Sequence, residues 1–157
     1  MSSTNVFKLI IAIVLPLAVG AVAGIFTAEA IPVWYASLNQ PSFNPPNWIF
    51  GPVWTTLYIV MGISFFLIWK MEPSQNRNRA IGVFLFQLTL NFFWSFLFFY
   101  FKNLGFALAE IILLWVSICT MIFTFRKVKP IAAYMNIPYL LWVSFATALN
   151  AAYFFLN

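Results

Sequence analysis

The sequence predicts an all-α membrane protein, a compact bundle of five transmembrane helices, and three observations predict it. Hydrophobic residues make up 64% of the chain and charged ones 7%, with a mean hydropathy of +0.94. That leaves too little polar surface to coat a water-soluble globule of 157 residues. Five apolar runs are each long enough to cross a bilayer at about 1.5 Å of rise per residue. They are apolar all round rather than alternating with period two, so they read as helices and not as strands of a membrane barrel.

The predicted spans are 7–28, 50–69, 80–101, 104–125 and 131–156, within a single domain covering 1–157. The first follows a short N-terminal region and carries Lys8 at its start, but it is too long for the apolar segment of a signal peptide and reads as a retained helix. Its Gly20, Gly24 and Ala28 recur every four residues, a small-residue face suited to close packing inside the bundle or to a homodimer seam. Residues 29–49 form a long first loop within which Pro41, Pro45 and Pro46 stiffen the chain and Trp34, Tyr35, Phe43 and Trp48 offer flat faces. It reads as a semi-rigid lid over a pocket or as an anchor among lipid headgroups. The remaining connections are short, which makes sequential helices antiparallel neighbours. Pro16 and Pro138 lack the amide hydrogen that a helix interior uses, and they predict kinks in the first and fifth spans.

Charge sets the orientation. Lys8, Lys70, Arg77, Arg79, Arg126, Lys127 and Lys129 fall on one side of the five spans and only Lys102 on the other. By the positive-inside rule this predicts a cytoplasmic N-terminus in a bacterial cell membrane, with the first loop and the C-terminus outside. The net charge of +5 therefore reads as topology and lipid contact, with no call for a nucleic-acid partner.

Polar and aromatic residues inside the spans mark faces. On the third span Gln87, Asn91 and Ser95 recur at i, i+4 and i+8, with Trp94 beside them. On the fifth, Tyr139, Trp142, Ala146, Asn150 and Tyr153 draw one face, and on the second Phe50, Trp54, Tyr58 and Met61 do the same. Turned inward, the three faces would line an aromatic pocket carrying a few amides and hydroxyls. Singly, such amides also serve merely to join helices, and such aromatics merely to pack.

The chemistry this excludes is broad. There is no histidine, no aspartate and one cysteine, Cys119. No metal site, no bound cofactor and no acid–base or nucleophilic machinery is expected. Glu110 is the one acid well inside a span, and a structural role suits it better than a proton relay.

The stretch WYASLNQPSFNPPNWIFGPVWTTLY at residues 34–58, followed by QLTLNFFWS, LGFALAEIILL and IPYLLWVSFATALN, resembles the TspO/MBR family, the translocator proteins or tryptophan-rich sensory proteins. The resemblance implies a five-helix bundle, often a homodimer, whose pocket opens toward the first loop. It implies binding of porphyrins such as protoporphyrin IX, and of synthetic isoquinoline carboxamides or benzodiazepines in many members. Carried across, Tyr35 is the loop tyrosine, Pro45 belongs to the lid, and Trp54 and Tyr58 stand on helix 2. Asn91 is the helix 3 amide, and Trp142 and Ala146 face the ligand from helix 5. The residues matching Trp54 and Trp142 are implicated in light-dependent porphyrin breakdown in bacterial members, which makes them catalytic only if that reaction occurs here. Phe50, Gln87 and Asn150 join the expected ligand-binding set from their periodicity.

The sterol motif of animal members departs here, because Leu149 and Tyr153 are followed by FFLN with no cation, although Lys129, Tyr134 and Leu140 fit the reversed pattern. The helix 4 acid, usually Asp in the family, is Glu110. The expected function is a membrane binding protein or sensor for tetrapyrroles and other flat apolar ligands. The alternatives are a transporter of such molecules or a light-dependent porphyrin-degrading enzyme.

Overall fold

The structure, a computed structural model, describes residues 3–157; its regular elements are all helices, and five spans are long and apolar enough to cross a membrane. The first is α1 (Ser3–Ala30), which passes through Pro16 without a break and continues as a wide i→i+5 turn over Ile31–Tyr35. A short 3-10 turn at Asn47–Ile49 leads into α2 (Phe50–Trp69). Then come α3 (Gln75–Ser95), extended by a second wide turn over Phe96–Tyr100, and α4 (Leu104–Val128). The fifth span is divided into α5 (Pro130–Tyr134) and α6 (Ile137–Leu156).

Local chemistry sets these ends. Ser74 accepts a hydrogen bond from the Arg77 amide, and Asn103 from the Phe106 amide, so α3 and α4 each start on a side-chain cap. The first helix runs beyond Ala28 because the wide turn absorbs Pro32, which lacks an amide hydrogen, and the Ala36 amide closes the turn on the Ile31 carbonyl. The break in the fifth span precedes Pro138, which therefore lies in the first turn of α6, where its missing N–H costs nothing. Asn136 holds that break to α2: its amide nitrogen donates to Ser64 Oγ (2.6 Å) and to the Ala132 carbonyl (2.8 Å).

The bundle has a basic end, carrying residues 70–74 and Lys129, and a loop end, carrying residues 36–46 and the last turns of α6. Near the basic end α1 crosses α2 at Gly62, where an added Cβ would lie 2.6 Å from the Ala12 carbonyl oxygen. The core beside it is aromatic and filled: Phe65 stacks on Phe84 with ring centres 4.0 Å apart, and Phe84 in turn meets Phe125. At the loop end the two wide turns face each other. Trp34 and Tyr35 pack against Phe98 and Phe99, and Tyr35 against Tyr153 at 5.1 Å between ring centres.

The first loop is clasped. The Tyr35 hydroxyl donates to Asn44 Oδ1 (2.8 Å), and the Asn39 amide donates to Asn157 Oδ1 (2.8 Å). The Asn157 amide nitrogen answers to the Asn39 carbonyl (3.2 Å), and Phe43 lies edge-on to Phe145 of α6.

Candidate functional site

A buried hydrogen-bond chain ties α2, α3 and α6 together at mid-height. Tyr58 donates to Asn91 Oδ1 (2.6 Å), Asn91 Nδ2 donates to the Tyr139 hydroxyl (3.0 Å), and Tyr139 donates to Gln87 Oε1 (2.9 Å). Gln87 Nε2 then meets the Met61 sulfur at 3.5 Å. Each buried donor thus has an acceptor, as a low-dielectric interior demands. Tyr58 and Asn91 of this chain form the floor of a cavity, with Tyr139 and Gln87 behind them.

That cavity, about 550 Å3, lies between α1, α2, α3 and α6 on the loop side of the chain, a size typical of small-molecule sites. Trp54 stacks on Tyr58 at 5.5 Å and Phe50 stands edge-on to Trp142 at 6.1 Å, so α2 and α6 present aromatic faces to it. Trp94 of α3 joins them and donates its indole hydrogen to Asn150 Oδ1 (3.1 Å). Phe98, Phe99, Tyr35 and Tyr153 close the loop end. No charged side chain lines the cavity among the described residues. Two polar atoms on lining residues, Trp142 Nε1 and the Tyr153 hydroxyl oxygen, are buried away from the cavity surface, and the Tyr153 hydroxyl faces that of Tyr35.

Of the residues singled out in the sequence, Tyr35, Phe50, Trp54, Tyr58, Asn91, Trp142, Ala146 and Asn150 come together in the cavity wall. Gln87 and Pro45 do not. Gln87 is fully buried behind the wall, where it anchors Tyr139, and Pro45 sits in the loop away from the lining. Leu149 and Tyr153 line the cavity, so the remnant of the sterol pattern points inward rather than toward lipid. Both carboxyl oxygens of Glu110 are buried and without a partner, outside the wall.

The wall also has a side that polar and aromatic signals did not reveal. Leu17, Gly20, Ala21, Gly24, Thr27 and Ala28 of α1 line the cavity. The small face of α1 is therefore used within the chain: Gly20 lies under the Tyr58 ring, leaving no room for a Cβ, while a Cβ at Gly24 would meet nothing within 4 Å. Ala21, Gly24 and Ala28 on α1 and Gly51 and Thr55 on α2 are exposed although they line the cavity, so it opens sideways between these two helices. The every-fourth spacing of small residues was the available signal, and it read equally well as a helix-packing face.

Fold and cavity together define a class, a helical integral membrane protein with an aromatic-walled internal chamber. The chain belongs to the TspO/MBR family, whose pattern matches residues 12–156. It is 41% identical over 154 residues to the tryptophan-rich protein TspO of Archaeoglobus fulgidus, covering 98% of this chain and 99% of that one. It is 38% identical over 119 residues to the human translocator protein, 74% of this chain and 70% of that protein. The tryptophan-rich sensory protein of Cereibacter sphaeroides is 33% identical over 117 residues, 74% of this chain and 72% of its own length.

Proposed function

We propose that the protein is a membrane-embedded binder or sensor of tetrapyrroles of the protoporphyrin IX type and other flat apolar molecules, taken up in the cavity beneath the first loop. The observation that carries this reading is the wall itself: Phe50, Trp54, Trp94 and Trp142 frame one space from three helices. Burial of a flat apolar molecule among such faces supplies most of the affinity, at roughly 25 cal/mol per Å2. Pro45 acts in this reading through the rigidity of the lid, and Gln87 through the placement of Tyr139. The charge asymmetry orients the N-terminus to the cytoplasm.

A second reading has one observation in its favour: Trp54 and Trp142 both border the cavity, where an excited porphyrin could exchange electrons with either indole. The protein would then degrade the ligand under light by photo-oxidation, with dissolved dioxygen as the terminal oxidant. One experiment addresses both. Protein in nanodiscs is titrated with protoporphyrin IX in the dark, following tryptophan quenching and porphyrin absorbance, alongside Trp54→Phe, Trp142→Phe and a Trp69→Phe control. Saturable quenching weakened by the first two substitutions and not by the third supports the binder. Loss of the porphyrin band on illumination that requires Trp54 or Trp142 supports the enzyme. Quenching that never saturates means simple partition into lipid, and both readings fall.

A further inference from the structure

Of the two wide turns that face each other at the loop end of the cavity, only one is explained by its own sequence. The turn over Ile31–Tyr35 contains Pro32, whose ring would clash with the carbonyl four residues back in a regular helix, and the extra width relieves it. The turn over Phe96–Tyr100 reads FLFFY, with neither proline nor glycine. Wide turns inside helices are rare and collect at functional sites. This one closes with the Phe101 amide on the Phe96 carbonyl (2.8 Å) and the Asn103 amide on the Leu97 carbonyl (3.0 Å). Between those two residues Lys102 is held at φ 54°, the one positive value at a non-glycine residue among the described residues. Lysine has no short polar side chain to support that conformation, and Lys102 is exposed.

What holds the strained arrangement is packing. The consecutive residues Phe98 and Phe99 are both buried and both line the cavity. Phe98 meets Trp34 with ring centres 5.5 Å apart, and Phe99 meets Tyr35 at 5.9 Å. Rewinding the turn into α-helix would mostly exchange hydrogen bonds rather than lose them: the Phe101 amide would pass to the Leu97 carbonyl and the Tyr100 amide would take that of Phe96. One residue would then pass into the connection to α4, which releases Lys102 from its positive φ. By the end of the turn the rotation amounts to about one residue's worth, roughly 100°. Phe99 would point where Tyr100, 58% exposed, points now.

We propose that the end of α3 is a two-state gate. The wide form seals the loop end of the cavity with Phe98 and Phe99, and the rewound form withdraws Phe99 and opens that end. A ligand reaching the loop end bears on Phe99 and biases the gate toward the rewound form. That response rests on the binding site proposed above, whereas the two forms of the turn do not.

The test puts a ring-fluorinated phenylalanine in place of Phe99 and follows its fluorine NMR signal in nanodiscs, first without ligand. The outward-facing form is recognised by its broadening from a spin-labelled lipid. Lys102→Gly accepts a positive φ freely and Lys102→Val resists it, while both remove the same charge. The ratio of wide to rewound form should rise about fivefold in Lys102→Gly and fall about threefold in Lys102→Val. Should Lys102→Val not fold, Lys102→Gly alone carries the comparison. Saturating protoporphyrin IX should lower the ratio in the unaltered protein by about threefold. One fluorine environment, unchanged across the Lys102 series, would overturn the gate. Populations that follow Lys102 yet stay fixed while the porphyrin saturates would overturn its response to ligand and leave the binding site standing. If the porphyrin never saturates, the binding reading fails, and the Lys102 series alone decides whether the turn has two forms.

Discussion

The two ends of the bundle are built from the same residue types and do opposite things with them. At the basic end a glycine, Gly62, brings the α1 backbone onto α2, and phenylalanines 65, 84 and 125 fill the space beside it. At the loop end Gly24 and Gly51 touch nothing beyond their own neighbourhoods, and tryptophans and tyrosines surround a chamber. Neither glycine nor aromatic content determines which end is filled. The difference comes from helix geometry, because α1 and α2 meet at Gly62 and stand apart at Gly24 and Gly51. The Tyr58–Asn91–Tyr139–Gln87 chain marks the level where packing gives way to space.

That contrast can be broken most forcefully at the crossing. Gly62→Leu has no room against Ala12 and Ile13, and overpacking of a close backbone contact should destabilise by about 3 kcal/mol or more. Thermal unfolding in detergent micelles would show it as the largest loss of any single substitution considered. Next comes the level between the two halves. Tyr139→Phe strands the Asn91 amide and the Gln87 carbonyl, a loss of about 1–3 kcal/mol in the same assay, accompanied by weaker ligand binding as Asn91 and Tyr58 lose their alignment.

Gly24→Leu sharpens the comparison by inversion. The same chemical change that is ruinous at Gly62 has open space around it here, so the unfolding midpoint should shift by less than the equivalent of about 0.5 kcal/mol. The added side chain would instead occupy the mouth of the cavity, and saturable porphyrin quenching should be lost. A Gly24→Leu protein that unfolds early yet binds normally would show that α1 packs closely along its whole length. The smallest effect is expected at the lid. Asn157→Ala removes the side-chain half of the clasp on Asn39, costing about 0.5–1 kcal/mol, visible as faster hydrogen exchange confined to the loop and the last turn of α6.

Much of the cavity wall was legible in the sequence for a definite reason. Polar residues are rare and costly in lipid-facing positions, so the helical spacing of the amides and hydroxyls on α2, α3 and α6, with aromatics on the same faces, pointed to an interior. Asn91, Trp54, Trp142 and Asn150 are all found there. Gln87 obeyed the same spacing as Asn91 and yet sits behind the wall, because one helical turn separates the floor of the chamber from its supporting layer. The contribution of α1 was hidden, since Gly20, Ala21 and Gly24 form a wall by what they lack, and smallness has the same signature whether a face is packed or open. Asn136 carries no periodic signal of its own beside Pro138, although its amide is what fixes the break in the fifth span to Ser64.

The sequence by itself determined the membrane as solvent, the five spans and the inward faces of three helices. Each follows from hydropathy and from period 3.6, properties of a chain segment that need no knowledge of its neighbours. Only the tertiary structure decided that α1 leaves α2 above Gly62, that the wide turns after Ala30 and Ser95 bring Tyr35 against Phe99, and that the loop is fastened to Asn157. These depend on contacts between segments far apart in sequence. Whether a small residue touches a neighbour or borders a void is set by the path of the other helix.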